Sequence, residues 1–211
     1  MTNSTETSIG LELKSLGHEF TVGNPILLDI NAKIEPGSHV VINGANGSGK
    51  STLGKIIAGQ LTPTEGTISW RTGPSSLDNE NILLNASFTG PSTTLHPQMS
   101  IREILHFHGT FRKWRQGVNP ETILVDSGLS KHMNVRFIEL SSGMQQRVLL
   151  AVSLATESGL VVLDEPCANL DASGIEWYQH QLSSFPKHST LIVCSNDRRE
   201  DYKRSDLTIS L

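Results

Sequence analysis

Apolar residues alternate with polar ones at Ile9, Leu11 and Leu13, and again at Leu28, Ile30, Ala32 and Ile34, the period of two expected of half-buried strands. Pro36-Gly37 predicts a turn, and His39-Val40-Val41-Ile42 reads as a strand running straight into a glycine-rich loop. After that loop Leu53, Ile56, Ile57 and Leu61 recur at helical spacing, with Pro63 as the expected stop. Thr67-Ile68-Ser69-Trp70 is a further short strand, residues 71–81 read as a loop, and residues 82–88 as a buried strand. Between about 100 and 156 the period turns helical, carried by Ile101, Ile104 and Leu105, then Ile123 and Leu124, then Val148 through Leu154. Leu160 to Leu163 is a short apolar run of the kind found in central parallel strands. Ile175, Tyr178, Leu182 and Phe185 mark an amphipathic helix, and strands are expected again at 190–195 and 207–209. Strands alternating with helices predict an α/β fold with a parallel core sheet, the all-strand start an antiparallel β-subdomain, and the helical stretch an inserted α-helical subdomain.

Composition narrows this picture. With 211 residues the chain is read as one domain over 1–211. About 1–91 and 157–211 form its core with the β-subdomain, and about 92–156 its helical subdomain. A formal charge of −4 argues against a general nucleic-acid binder, so no nucleic-acid partner is expected. No apolar run approaches the roughly 18–20 residues that span a bilayer, and residues 1–9 are polar and unlike a signal peptide. Cys167 and Cys194 form no metal spacing and no disulfide framework. A cytoplasmic protein is expected, with any membrane role exercised through a partner.

The chemistry enters with Gly44-Ala45-Asn46-Gly47-Ser48-Gly49-Lys50-Ser51, which follows an apolar strand and precedes a helix. Glycines at this spacing let backbone N–H groups curl around phosphate oxygens, and the helix N-terminus adds positive partial charge. Lys50 would reach the β- and γ-phosphates of a nucleotide, and Ser51 would offer its hydroxyl to Mg²⁺. Leu160-Val161-Val162-Leu163-Asp164-Glu165 supplies an apolar strand ending in carboxylates. Asp164 would face the metal, and Glu165, one residue on, would polarise the attacking water.

Three further segments resemble the ATP-binding-cassette family of phosphate-loop NTPases. Leu140-Ser141-Ser142-Gly143-Met144-Gln145-Gln146-Arg147 is similar to that family's signature, and Ser141 stands 23 positions before Asp164. Ser141 and the N–H of Gly143 open a helix and so form an anion site; the resemblance implies that it caps the γ-phosphate held by another subunit. Asn46, Gly47, Ser48, Gly49, Lys50, Ser51 and Thr52 match the family's loop beyond its minimum. Ala168-Asn169-Leu170-Asp171 resembles the loop that crosses the dimer interface, which implicates Asp171. Phe20, 24 residues before Gly44, lies close to where the family places an aromatic that stacks on adenine; the other reading is a strand-end core residue. The resemblance covers essentially the whole chain. It implies Mg²⁺ and ATP, a second copy or a related subunit, and integral membrane permease subunits that hold the protein at the inner face of the cell membrane.

The chain also departs from that pattern. The family's Gln at the entry to the helical subdomain falls near Gly90 or Pro91, and Gln98 lies too far along. Asn196 stands where the family places a His against the γ-phosphate; Asn can donate to a phosphate oxygen but cannot carry a proton. Slower turnover is expected. Met144 and Ser142 also replace usual signature residues.

Several clusters read as ordinary structure. His106 and His108 face different sides of a helix, so with His96 they are not taken as metal ligands. Phe111-Arg112-Lys113-Trp114-Arg115 reads as a solvated helix end rather than a membrane or partner contact, and the charges from Arg198 to Asp206 as surface ion pairs. Cys167 reads as a small filler. The leading function is the nucleotide-binding subunit of a membrane transporter, compact like the haem-exporter ATPases of cytochrome c maturation. A soluble ATPase of an assembly or regulatory system and a binding module with little hydrolysis are the other two readings.

Overall fold

The computed structural model describes residues 8–186 and 188–211, so the polar reading of 1–7 lies outside the described residues. Its chain divides into two units. One comprises the described residues up to Phe88 with Ser158–Glu165 and Pro186–Leu211; the other comprises Thr89–Glu157 and Pro166–Phe185.

The first unit holds two sheets. β1 (Gly10–Thr21), β2 (Asn24–Ile34), β4 (Glu65–Thr72) and β5 (Ser75–Leu77) form a sheet in the order β2-β1-β4-β5, with antiparallel pairing throughout. β6 (Ala86–Thr89), β7 (Leu160–Asp164), β8 (Thr190–Ser195), β3 (His39–Asn43) and β9 (Leu207–Ser210) form the second in the order β6-β7-β8-β3-β9. There β7, β8, β3 and β9 run parallel. The non-sequential order places β3 between β8 and β9, so the loops that follow β3, β7 and β8 leave the sheet at the same carboxyl edge. Ligands of open parallel sheets gather at that edge. β7 and β8 are buried along their whole length, which is why they read as unbroken apolar runs.

α1 (Lys50–Ile57) packs on this sheet at close range. A Cβ on its Gly54 would meet Cys194 Sγ at 3.2 Å and Val162 Cγ1 at 3.3 Å. The helix ends earlier than Pro63 predicts, because Gly59 turns into the left-handed region at φ +75° and its N–H bonds back to Ile56 O. The Trp70 indole donates to Ile57 O at 2.8 Å, satisfying a carbonyl that the helix end leaves open.

Two other local readings are corrected. Residues 71–81 are not all loop and 82–88 are not a strand: β5 closes a hairpin with β4, and α2 (Asn79–Asn85) precedes a short β6. Asp78 starts α2 by accepting from Asn81 N at 2.8 Å, and of its apolar run only Ile82 is buried. In β2, Leu28 faces solvent and Leu27 is buried, opposite to strict alternation. Between the pairs Leu16↔Ile30 and His18↔Leu27 one strand advances two residues and the other three, and Asp29 sits at φ +46°. A β-bulge therefore flips the inward face.

The second unit carries α3 (Ile101–Phe111), α4 (Pro120–Leu124), α5 (Ser142–Ala155) and α6 (Ala172–Ser183), with short π and 3₁₀ turns at Val125–Leu129, Ser130–His132 and Phe137–Glu139. Ser100 and Glu103 close a reciprocal capping box at the start of α3. Pro166–Phe185 groups with these helices, where α6 packs against α5. The stretch Phe111–Arg115 is solvated only in part: Phe111 and Lys113 are exposed, but Trp114 and Arg115 are packed. Trp114 stacks on His108 at 4.9 Å, and the Arg115 guanidinium lies 4.7 Å above the Phe185 ring. Burial lowers the Arg115 guanidinium to about 10, against the opposing charge of Glu157. Nε2 of His108 lies 2.8 Å from Thr156 Oγ1, so this ring is engaged in packing. Among the described residues no helix is long and apolar enough to cross a membrane.

Candidate functional site

β3 delivers its chain end to the loop at 44–49, and α1 begins at Lys50. Two glycines there do different work. At Gly49 the backbone takes φ +98°, and a Cβ would lie 2.8 Å from Ile26 O and 2.7 Å from Leu27 Cδ2, so β2 leaves no room for a side chain. At Gly47, φ +84°, nothing lies within 4 Å of that position, and the backbone faces open space. Lys50 is only 4% exposed and its Nζ donates to Gly44 O at 2.8 Å and Ala45 O at 2.9 Å, which curls the loop over the ammonium. Its third N–H remains for a ligand. Ser48 Oγ is buried without a partner among the described residues. A concave backbone, a buried ammonium and an orphaned hydroxyl suit a polyphosphate.

Asp164 ends β7 at 2% exposure, and its Oδ1 has no partner among the described residues. Burial pushes its carboxyl above the usual range and outweighs the Ser51 hydroxyl, which favours ionisation; Glu165 raises it further, while Lys50 and Lys55 oppose. A buried carboxylate oxygen lacking a partner is costly, and a hard cation satisfies it. Among the described residues no three or more His, Cys, Asp or Glu side chains converge. A donor set of one carboxylate, Asp164, and one hydroxyl, Ser51, would leave phosphate and water to complete a shell, as is common for Mg²⁺. Asp164→Asn removes the buried charge and leaves the strand intact. It should raise the melting temperature of the nucleotide-free protein near neutral pH while abolishing the extra stabilisation that Mg²⁺ gives in the presence of ATP. Thermal melts with and without the cation check both halves. The sign follows from linkage: a carboxyl raised in the fold binds its proton more readily than in the unfolded chain, so its ionisation costs stability as pH rises through that range.

Glu165 follows in the left-handed region at φ +47°, with its N–H bonded to Cys194 O at 2.9 Å. Backbone strain of this kind persists where surrounding structure holds it. After β8, Asn196 Nδ2 comes 3.5 Å from Asn46 Oδ1, so the loops after β3 and β8 meet. The turn carrying Asn196 is fixed by Ser195 Oγ, which donates to Asp201 at 2.7 Å and accepts from Arg198 N at 3.1 Å. Asp201 is thus buried, not part of a surface ion-pair array, and Asp206 accepts from His39 N at 2.8 Å. Within that array Arg198 and Glu200 do pair, at 3.8 Å.

Phe20 lies near the tip of the β1–β2 hairpin at 70% exposure, which rules out its reading as core. Its ring meets His18 edge-on at 4.7 Å, and the same hairpin supplies the Ile26 and Leu27 atoms that touch Gly49.

In the second unit Ser141 caps α5, its Oγ accepting from Met144 N at 3.3 Å. Position 144 contributes its backbone N–H to this cap. Gln145 bonds back to Phe137 O at 2.9 Å and Leu140 O at 3.2 Å and fixes the approach to the cap. The amides of Ser142 and Gly143 then open the helix without intrahelical acceptors. Asp171 caps α6 by accepting from Gly174 N at 2.8 Å and pairs with Arg147. The roles of Gln145, Gln146 and Arg147 were not legible in the sequence beyond their polarity.

A model of the ABC transporter family matches residues 27–168. The chain belongs to that family. A cytochrome c biogenesis ATP-binding export protein, CcmA, of Reclinomonas americana is 31% identical over 188 residues, 87% of this chain and 83% of the relative. A spermidine/putrescine import ATP-binding protein, PotA, of Borreliella afzelii is 31% identical over 93% of this chain and 58% of its own length. The chain spans 45% of an ABC transporter relative from Methanosarcina mazei. Among solved structures, a bacterial Atm1-family ABC exporter with ATP bound superposes with TM-score 0.79 at 18% identity, over 96% of this chain and 37% of that one. A Pyrococcus furiosus ABC transporter ATP-binding protein gives 0.75 at 24% over 96% and 97%. These two likenesses support the fold: an ABC ATPase domain with its parallel sheet, antiparallel sheet and helices.

As an ABC ATPase the chain is unusual just after β6. β6 runs into Gly90, whose N–H bonds to Thr93 Oγ1 at 3.0 Å, and no Gln stands there. Gln98 instead accepts from Arg136 at 3.1 Å.

Proposed function

We propose that this chain is the nucleotide-binding subunit of an ABC membrane transporter, hydrolysing MgATP at an interface with a second copy or a related subunit. The observation that carries the site is the pairing of a curled, lysine-centred phosphate loop with the buried, unpartnered Asp164 oxygen. In this reading Lys50 and the amides of residues 46–52 hold the β- and γ-phosphates, and Ser51 and Asp164 hold Mg²⁺, which supplies charge neutralisation. Glu165 orients and deprotonates the attacking water, and Phe20 stacks on adenine. Asn196 donates to the γ-phosphate without titrating, which supports slow turnover. Ser141 and Gly143 of one subunit cap the nucleotide held by the other, with Asp171 at the crossing. Each nucleotide then contacts both chains, so ATP favours the closed dimer and hydrolysis releases it.

Export proteins of cytochrome c biogenesis align along most of their length, which supports a compact export subunit held at the inner membrane face by a permease. The test is MgATP hydrolysis by the purified chain, alone and with the integral membrane protein that co-purifies with it. Severalfold stimulation by that partner is expected. A rate indifferent to every membrane partner, with none co-purifying, would return the soluble-ATPase reading.

A further inference from the structure

One face of α5 is joined to the segment that follows Glu165 in the chain. Positions 143, 146 and 147 share that face by helical spacing. At the first, a Cβ on Gly143 would lie 2.6 Å from Asn169 O, so the backbones meet with no room for a side chain. Asn169 itself is held at φ +64°. At the second, the buried Gln146 amide donates to Pro166 O at 2.9 Å. At the third, the Arg147 guanidinium, 13% exposed, donates to Asp171 Oδ1, to Ser173 Oγ at 3.0 Å and to Ser127 O. Gly174 leaves room for it: a Cβ there would sit 3.0 Å from Arg147 Nε and 3.2 Å from its Nη2. The Gly174 amide foremost, then the Ser173 hydroxyl, holds the Asp171 carboxyl below the usual range, with Arg147 adding to them. That carboxylate is thus ionised and shared between the cap of α6 and the signature helix.

We propose that Gln146 and Arg147 are positioning residues that make the start of α5 and residues 166–171 move as one piece. On the reading that Ser141 and Gly143 face a nucleotide held by another subunit, occupancy of that nucleotide is thereby passed to the segment joined to Glu165. A planar guanidinium suits three acceptors in different directions, whereas a lysine ammonium on the same stem is a point charge.

The experiment uses the full chain carrying Glu165→Gln and follows MgATP-driven self-association by light scattering, alongside binding of a fluorescent ATP analogue to the monomer. Arg147→Lys and Gln146→Ala are each expected to weaken self-association at least tenfold while the monomer's affinity for the analogue stays within twofold. Unchanged self-association overturns the proposal, and so does a parallel loss of analogue binding, which would mark a general structural defect. Ser141→Arg separates this proposal from the reading beneath it. If that bulky cation leaves self-association intact, the signature site itself is misassigned. If it abolishes self-association while Arg147→Lys does not, only the coupling falls.

Discussion

Glu165→Gln should slow MgATP turnover by roughly 10²–10⁴-fold, the usual worth of a general base, while ATP still binds. The amide has nearly the shape of the carboxylate but cannot take a proton from water. The surrounding structure also argues for retained folding: Glu165 is joined to β8 through its main-chain N–H to Cys194 O, which the substitution leaves in place. Single-turnover hydrolysis and calorimetric ATP titration of the same preparation separate the two effects. A rate within threefold of the parent would remove Glu165 from the assigned role and point to water activated by phosphate alone.

The second large effect lies at Lys50. Lys50→Ala should weaken ATP binding by roughly a hundredfold, equivalent to about 3 kcal/mol, the order expected for losing one or two charge-assisted hydrogen bonds. The ammonium bonds to Gly44 O and Ala45 O, so its removal also frees two carbonyls that shape the cradle. Lys50→Arg is expected to fail as well. The position is almost fully buried, and a broad, planar guanidinium does not reproduce the point charge that bonds to Gly44 O and Ala45 O. Titration calorimetry decides the point. A dissociation constant within threefold of the parent for Lys50→Ala would sink the phosphate-loop assignment.

Both residues were legible in the sequence because their signals are local. A glycine spacing between a strand and a helix, or an apolar run ending in two acids, specifies backbone path and chemistry within a few residues. β3, β7, β8 and β9 were readable for the same reason. What escaped the sequence depends on partners far along the chain. The bulge that turns Leu28 outward arises from how β1 and β2 register. Asp201 looked like a surface acid for another reason: its partner Ser195 is only six positions back, but polarity alone does not reveal that the pair is buried. Arg147 meets atoms of residues 127, 171 and 173, between 20 and 26 positions away. Residues 79–85 escaped for a different reason. Ile82-Leu83-Leu84 is apolar enough for a strand, yet Leu83 and Leu84 lie exposed, and the local signal was the capping Asp78.

The left-handed backbone at Glu165 bears on how this protein would respond to selection in the laboratory. Holding a non-glycine residue there costs on the order of 1–3 kcal/mol, which glycine would recover in large part by relaxing φ. A library screened for heat resistance alone would therefore enrich glycine at 165 and return robust, inert proteins. With the proposed role of Glu165, stability and catalysis would be opposed at this one residue, so an engineering campaign would have to score both together.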